Sequence, residues 1–161
     1  MTAIRWAGGA LAVIIAALAG IALAARFGDG PTGPLIGGEL RTGDWVEEPV
    51  NDWSFAAGRD IELQLDGDAT SRTTWFFPAG KVGYIPAGQT FPPGKQWHQR
   101  AAQRGAAVIR IDDRRYPVRL DRLTEEDSAF TEIAQRMKDE GSVPPGGTET
   151  MWLFVVRSRP Q

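Results

Sequence analysis

Ser71-Arg-Thr-Thr-Trp-Phe-Phe77, Pro78-Ala-Gly-Lys81 and Val82-Gly-Tyr-Ile85 follow one another without a break, and their reading decides the fold. The first run is β-branched and aromatic, the second is punctuated by Pro and Gly, and the third resumes the strand pattern. A hairpin is expected. Pro86 to Gly94 is loop chemistry, and Lys95 to Arg104 reads as a short helix stopped by Gly105. Ala107–Ile111 and Arg115–Leu120 then flank Asp112-Asp113, a two-residue turn that sets Ile109 opposite Tyr116 and Arg110 opposite Arg115.

Outward from this stretch, Ile61-Glu-Leu-Gln-Leu65 alternates strictly, with Ile61, Leu63 and Leu65 inward. Downstream, Thr124-Glu-Glu-Asp127 has capping-box spacing. It precedes the apolar face Ala129, Phe130, Ile133, Ala134 and Met137 of a helix closed by Gly141, expected to plug or cover the barrel. Met151–Val156 is a final strand, apolar on both faces and so expected to be buried on both. Trp45 and Trp53 lie in an extended lead-in and are expected to cover a barrel edge.

At the other end of the chain, Ala7 to Ala25 is 19 residues without a charge, long enough as a helix to cross a hydrocarbon core of about 30 Å. It reads as an uncleaved anchor or as a secretory signal cut after Ala22-Leu23-Ala24; a buried core helix would need a polar face it lacks. Charges on its two flanks orient it weakly, with the amino terminus inside and the domain extracytoplasmic, in a periplasm or its equivalent. Three regions follow: 1–26 as transmembrane anchor or signal segment, 27–38 as a Gly/Pro tether, and 39–161 as the folded domain.

A net charge of −2 gives no global drive toward nucleic acid. The absence of Cys and a single His98 make a protein-only metal site unexpected. For anion chemistry, Arg72, Thr73 and Thr74 place a cation and two hydroxyls on one strand, and Lys95 stands at the expected start of a helix. The plainer reading is solvated charges and good strand formers. Trp97 could stack on a ring or pack the core. His98, with no identifiable carboxylate partner, reads as a surface or satisfied residue rather than a proton donor. Arg110, Arg115 and Arg119 read as a basic patch or as the wet side of a sheet balanced by Asp112, Asp113 and Asp121.

The phrases SRTTWFF, VGYIPAG, GKQWHQRAAQ and AVIRIDDRRYPVRLDRLT, in this order over roughly residues 52–156, resemble the split β-barrel superfamily. That group holds pyridoxamine-phosphate oxidases, FMN-dependent reductases and deazaflavin (F420)-dependent nitroreductase-like proteins. The resemblance implies a mainly β, six-stranded antiparallel split barrel with two helices, here behind a transmembrane helix. It implies a flavin- or deazaflavin-dependent oxidoreductase of nitroreductase or quinone-reductase type, with FMN or F420 held by Arg72, Thr73, Thr74, Lys95 and Trp97 and a site at a homodimer interface. No catalytic residue is assigned. The basic Gly-Arg-Lys-Thr-Gly segment of many deazaflavin-binding members is absent, and an exported domain must acquire its cofactor after export. The alternative is a noncatalytic exported barrel binding a small ligand or envelope partner through the Pro86–Gly94 loop.

Overall fold

The computed structural model describes residues 2–89, 94–144, 146–148 and 150–159, with side chains from residue 11 onward. Its domain is a single curled antiparallel sheet with two short helices laid on it. The strands are β1 (Asp44–Trp45), β2 (Asp60–Leu65), β3 (Ser71–Trp75), β4 (Phe77–Ala79), β5 (Val82–Gly88), β6 (Ala106–Ile111), β7 (Arg114–Leu123) and β8 (Met151–Ser158). The helices are α1 (Thr2–Ala25), α2 (Trp97–Arg104) and α3 (Ser128–Asp139). The sheet runs β3-β2-β6-β7-β8-β5-β4, with β1 added in parallel to β7.

The six strands expected are therefore eight, for two reasons. One is β1, a two-residue pairing in the lead-in. The other is Phe76, whose ring turns into the core against Trp53 and Gly83 and breaks the run 71–79. Before the break the chain pairs with β2; after it, β4 pairs with β5 around Gly80-Lys81. The hairpin is thus Phe77–Ala79 with β5, and Ser71–Trp75 turns back on β2. Since β3 and β4 stand at opposite ends of the sheet yet are one residue apart, the sheet curls round on itself.

The β6–β7 turn is as expected. Ile109 faces Tyr116 and Arg110 faces Arg115 across it, with Asp112 and Asp113 both left-handed at φ 48° and 58°. A non-glycine residue in that region is strained by about 1–2 kcal/mol, less for Asp than for most. Asp113→Gly is expected to stabilise the domain by about 0.5–1 kcal/mol in a urea melt; a loss would mean that the Asp113 side chain contributes more than its backbone strain costs.

The inner face of the sheet holds Ile61, Leu63, Leu65, Ile85, Ile109, Val118, Leu120 and Phe154. Trp53 and Tyr116 close one end of this core and Trp97 and Ala101 of α2 the other. On the outer face, Ile133, Ala134 and Met137 of α3 cover Phe77, Tyr84, Met151, Leu153 and Val155. β8 is accordingly buried on both faces. α3 covers the barrel from outside and does not plug it. At about 1.5–3 kcal/mol for each fully buried side chain, this contact holds a 12-residue helix that would be marginal alone. The helix starts at Ser128 with Asp127 as its N-cap residue, whose carboxylate accepts from the Thr124 amide and hydroxyl (2.7 and 3.1 Å) and makes no bond to the helix's own first amides.

Residues 27–38, expected as a free tether, are docked. Gly37 pairs with Ser71, the Ser71 hydroxyl donates to the Gly38 carbonyl (2.5 Å), and Asp29 receives Arg110 (2.6 Å). Here glycine serves close approach, not flexibility: a Cβ on Gly37 would overlap the Gly30 backbone, and one on Gly30 the Arg110 guanidinium. α1 leads straight into this strap. Its side chains from Leu11 to Leu23 are exposed, which excludes a buried core helix. Among the described residues no helix is long and apolar enough to cross a membrane. In α1 the described side chains, 11–25, cover about 22 Å at 1.5 Å per residue, so the expected span is not shown.

Candidate functional site

Paired residues on neighbouring strands share a face. Leu63 opposite Arg72 and Ile61 opposite Thr74 put Arg72 and Thr74 on the core side of the sheet, while Glu62 opposite Thr73 puts Thr73 on the other. The three do not form one site. The Thr73 hydroxyl donates to the Gly33 carbonyl (2.8 Å) and so holds the strap.

Arg72 lies half-buried with its guanidinium 5.6 Å from the centre of the Trp97 ring. Burial, with Arg100 nearby, brings its pKa down to about 10 against the opposing pull of Asp68. Lys95 stands two residues before α2, just ahead of Gln96 at the N-cap, and not within the helix as expected. Burial first, then Arg72, lowers its pKa. Trp97 is 3% exposed and packs on Phe154 at 6.0 Å; it is a core residue and offers no open face to a ring. Residues 90–93 of the loop proposed as a contact surface lie outside the described residues.

His98 departs furthest from expectation. It is 4% exposed, edge-on to Trp152 at 4.9 Å, and its Nδ1 is buried with no hydrogen-bond partner among the described residues. A buried polar atom left so costs about 1–3 kcal/mol. Burial, then Lys95 and Arg122, pushes its pKa below the ordinary imidazole value. Arg122 lies 3.6 Å from the centre of the Trp152 ring. Arg100 and Arg104 both reach Asp68, at 3.0 and 3.2 Å. One end of the barrel thus brings Lys95 and Arg122 near a buried imidazole, with Arg72 between Lys95 and the Arg100–Asp68 pair.

Arg122 and Trp152 were missed from the sequence, although a signal existed. The inward alternation Val118, Leu120 continues to position 122, where a cation stands in place of an apolar residue. That Trp152 meets it follows only from the β7–β8 register, which sets Arg122 opposite Phe154.

The second polar cluster is structural. Arg110, 8% exposed, donates to Glu62, to Asp29 (2.6 Å) and to the Thr42 carbonyl (3.2 Å), while Arg115 donates to the carbonyls of Gly43 (3.0 Å) and Leu40 (3.1 Å). Burial opposes the Asp29 charge, but hydrogen bonds from Thr42, Arg110 and the Arg41 amide outweigh it, and its pKa falls well below the usual carboxylate range. Arg110 and Arg115 are thus no wet face, whereas Arg119 is, exposed beside Asp121 (2.8 Å). Two cavities form elsewhere. One of about 280 Å³ lies between Trp75, Pro86 and Met137. The other, of about 380 Å³, lies between Pro31, Thr73 and the carboxylates Asp60, Glu62, Asp112 and Asp113. Among the described residues no cluster could hold a metal ion.

No known protein family matches the sequence, and no curated protein does. Among solved structures, the chain is similar to a Listeria innocua protein assigned as a pyridoxamine 5′-phosphate oxidase. The likeness has a TM-score of 0.41 and 14% identity, over 62% of this chain and 83% of that one. Likeness of that degree says nothing about ligand or activity.

Proposed function

We propose that the chain is a split β-barrel domain, carried on a membrane anchor, that binds a small phosphate-bearing ligand at its α2 end. The observation that supports the site is the approach of Lys95 and Arg122 to His98, whose buried Nδ1 has no hydrogen-bond partner among the described residues, with Arg72 beside Lys95. Cations brought together in partly buried surroundings repel, and an anion among them relieves both repulsion and desolvation. Support for the anchor is the exposed apolar surface of residues 11–24, which no described residue of the domain covers.

FMN and F420 are the ligand types that the resemblance in sequence implies, and these residues fit the phosphate end of either. Trp97 does not fit the ring, because it is packed into the core. Bound, such a group would supply hydride chemistry; this chain's own residues would hold its phosphate. A homodimer interface is where the ring of such a ligand would be completed.

The test is a titration of detergent-solubilised full-length protein with FMN and with F420, read by tryptophan quenching. Saturable quenching is expected, weakened about 10–100-fold by Arg72→Ala, as for loss of a charge-assisted hydrogen bond. Binding unchanged in Arg72→Ala would move the site elsewhere. Binding of neither ligand would favour the noncatalytic reading, with an envelope protein as partner.

A further inference from the structure

α1 passes into the domain with no free chain between them. Beyond Ala25 its last turn tightens, the amides of Arg26, Phe27 and Gly28 donating to the carbonyls of Leu23, Ala24 and Ala25 (3.2, 3.1 and 3.1 Å). At about 2 Å per residue in such turns, Gly28 stands about 6 Å past the end of α1. There the chain is already seated on the domain. A Cβ on Gly38 would overlap the carbonyls of Gly28 and Arg26, so these backbones touch. The Phe27 carbonyl accepts from the Arg41 guanidinium (3.0 Å), and the Asp29 carboxylate from the Arg41 and Thr42 amides (2.6 and 3.1 Å). A free strap would let Ile36 stand about 35 Å from Ala25 when extended. Docked, Ile36 is two residues from the Gly38 contact. The surface at this junction is apolar in part, with Phe27 76% and Ile36 46% exposed, and Arg26, Glu39 and Arg41 are exposed beside them. α1 is apolar all round from Leu11 to Ala24, so one protein face would leave most of it uncovered, whereas lipid covers all of it.

We propose that this junction is a membrane-seating face: Phe27 and Ile36 lie in the headgroup layer of a phospholipid bilayer, with Arg26 and Arg41 at the level of the phosphates. The inference rests on the anchor proposed above. A headgroup layer is about 5–7 Å deep on each side of the hydrocarbon core. With the apolar run ending at Ala25, the Gly28–Gly38 contact falls about 6 Å further out, within that layer, and any tilt of α1 brings it closer. Arginine suits this boundary, because its stem covers apolar surface while its guanidinium stays in water or on phosphate. Glu39 offsets one of the two cations, so zwitterionic lipid suffices. The domain is therefore held against the bilayer in a set orientation, where a free tether would let it stand off and turn. α3 covers β5 and β8 on another part of the outer sheet face and stays in water.

The chain has no cysteine, so a single introduced one carries the only label. The experiment places a nitroxide on Ile36→Cys, on Glu39→Cys and, as an aqueous reference, on Thr131→Cys of α3, all three positions being exposed. Each full-length protein is reconstituted into phosphatidylcholine vesicles, and collision of the label with oxygen and with a water-soluble nickel chelate is read by electron paramagnetic resonance. At positions 36 and 39 access of the chelate is expected to fall severalfold below that at 131, while access of oxygen holds or rises, as it does in lipid. Chelate access equal at all three positions, in protein that floats with the vesicles, overturns the seating and leaves the anchor standing. Loss of access to both reagents at 36 and 39 would mean that protein, such as a second copy, covers the face, and overturns the lipid contact. Protein that does not float with the vesicles removes the anchor and the seating together.

Discussion

Replacing Arg110 by alanine is expected to cost about 3 kcal/mol of folding stability, the largest loss from any single side chain outside the apolar core. Arg110 is 8% exposed and is shared by Glu62 of β2, Asp29 of the strap and Thr42 just after it. Its removal leaves two carboxylates facing each other with no cation between them. The lower part of the usual 3–5 kcal/mol range applies, because Asp29 and Glu62 each keep 27% exposure and water can reach them. For a chain of this length that is a fall of roughly 6–12 °C in Tm. Limited proteolysis should show cleavage within residues 27–43 before the sheet opens. A loss under about 1 kcal/mol would mean that the strap is held by its backbone contacts alone. The same pair gives a pH signature. Asp29 has a depressed folded-state pKa, so its contribution is fully present above the ordinary carboxylate value and is withdrawn as pH falls through the folded one. Acid should loosen the strap first.

Truncation at two points separates anchor from domain with a comparable effect. A chain beginning at Arg26 keeps Asp29, the Gly37–Ser71 pairing and the buried Leu40, and is expected to fold and partition into the aqueous phase of a detergent separation. Full-length protein should enter the detergent phase. A chain beginning at Glu39 loses Asp29 and uncovers the outer edge of β3, whose Ser71 amide and carbonyl lose their Gly37 partners. It should melt well below the longer form and aggregate through that edge. Equal stability of the two truncated chains would restore the free-tether reading of residues 27–38. Equal partitioning of the full-length and Arg26 forms would remove the case for an anchor.

The parts of the fold set by side-chain alternation could be read directly. The β6–β7 register follows from two inward patterns meeting at a two-residue turn, and the burial of β8 on both faces follows from its unbroken apolar run. Alternation also carried a warning about the site: Thr73 must point away from Arg72 and Thr74, so three adjacent polar residues on a strand cannot form one pocket. The docking of residues 27–38 was not legible, because glycine permits a flexible linker and a tight backbone contact alike. What separates the two is Asp29, and its partner Arg110 lies 81 residues away. His98 was misread for a similar reason. Its neighbours in sequence are polar, and only the curl of the sheet brings Trp152 across to bury it.

The position of β8 has a consequence for how the chain becomes a protein. β8 is the bridge between β7 and β5, so until residues 151–158 have been synthesised the sheet exists as two unjoined pieces, β3-β2-β6-β7 and β5-β4. Each piece would present an open edge and half of an apolar core. Closure must wait for pairing between segments some 70 residues apart, a topology that folds slowly compared with helical domains. A nascent chain of this kind stays unfolded through most of its synthesis. If the chain is exported, that is the state a translocation channel accepts, and an N-terminal apolar helix would have time to engage one before the barrel could shut.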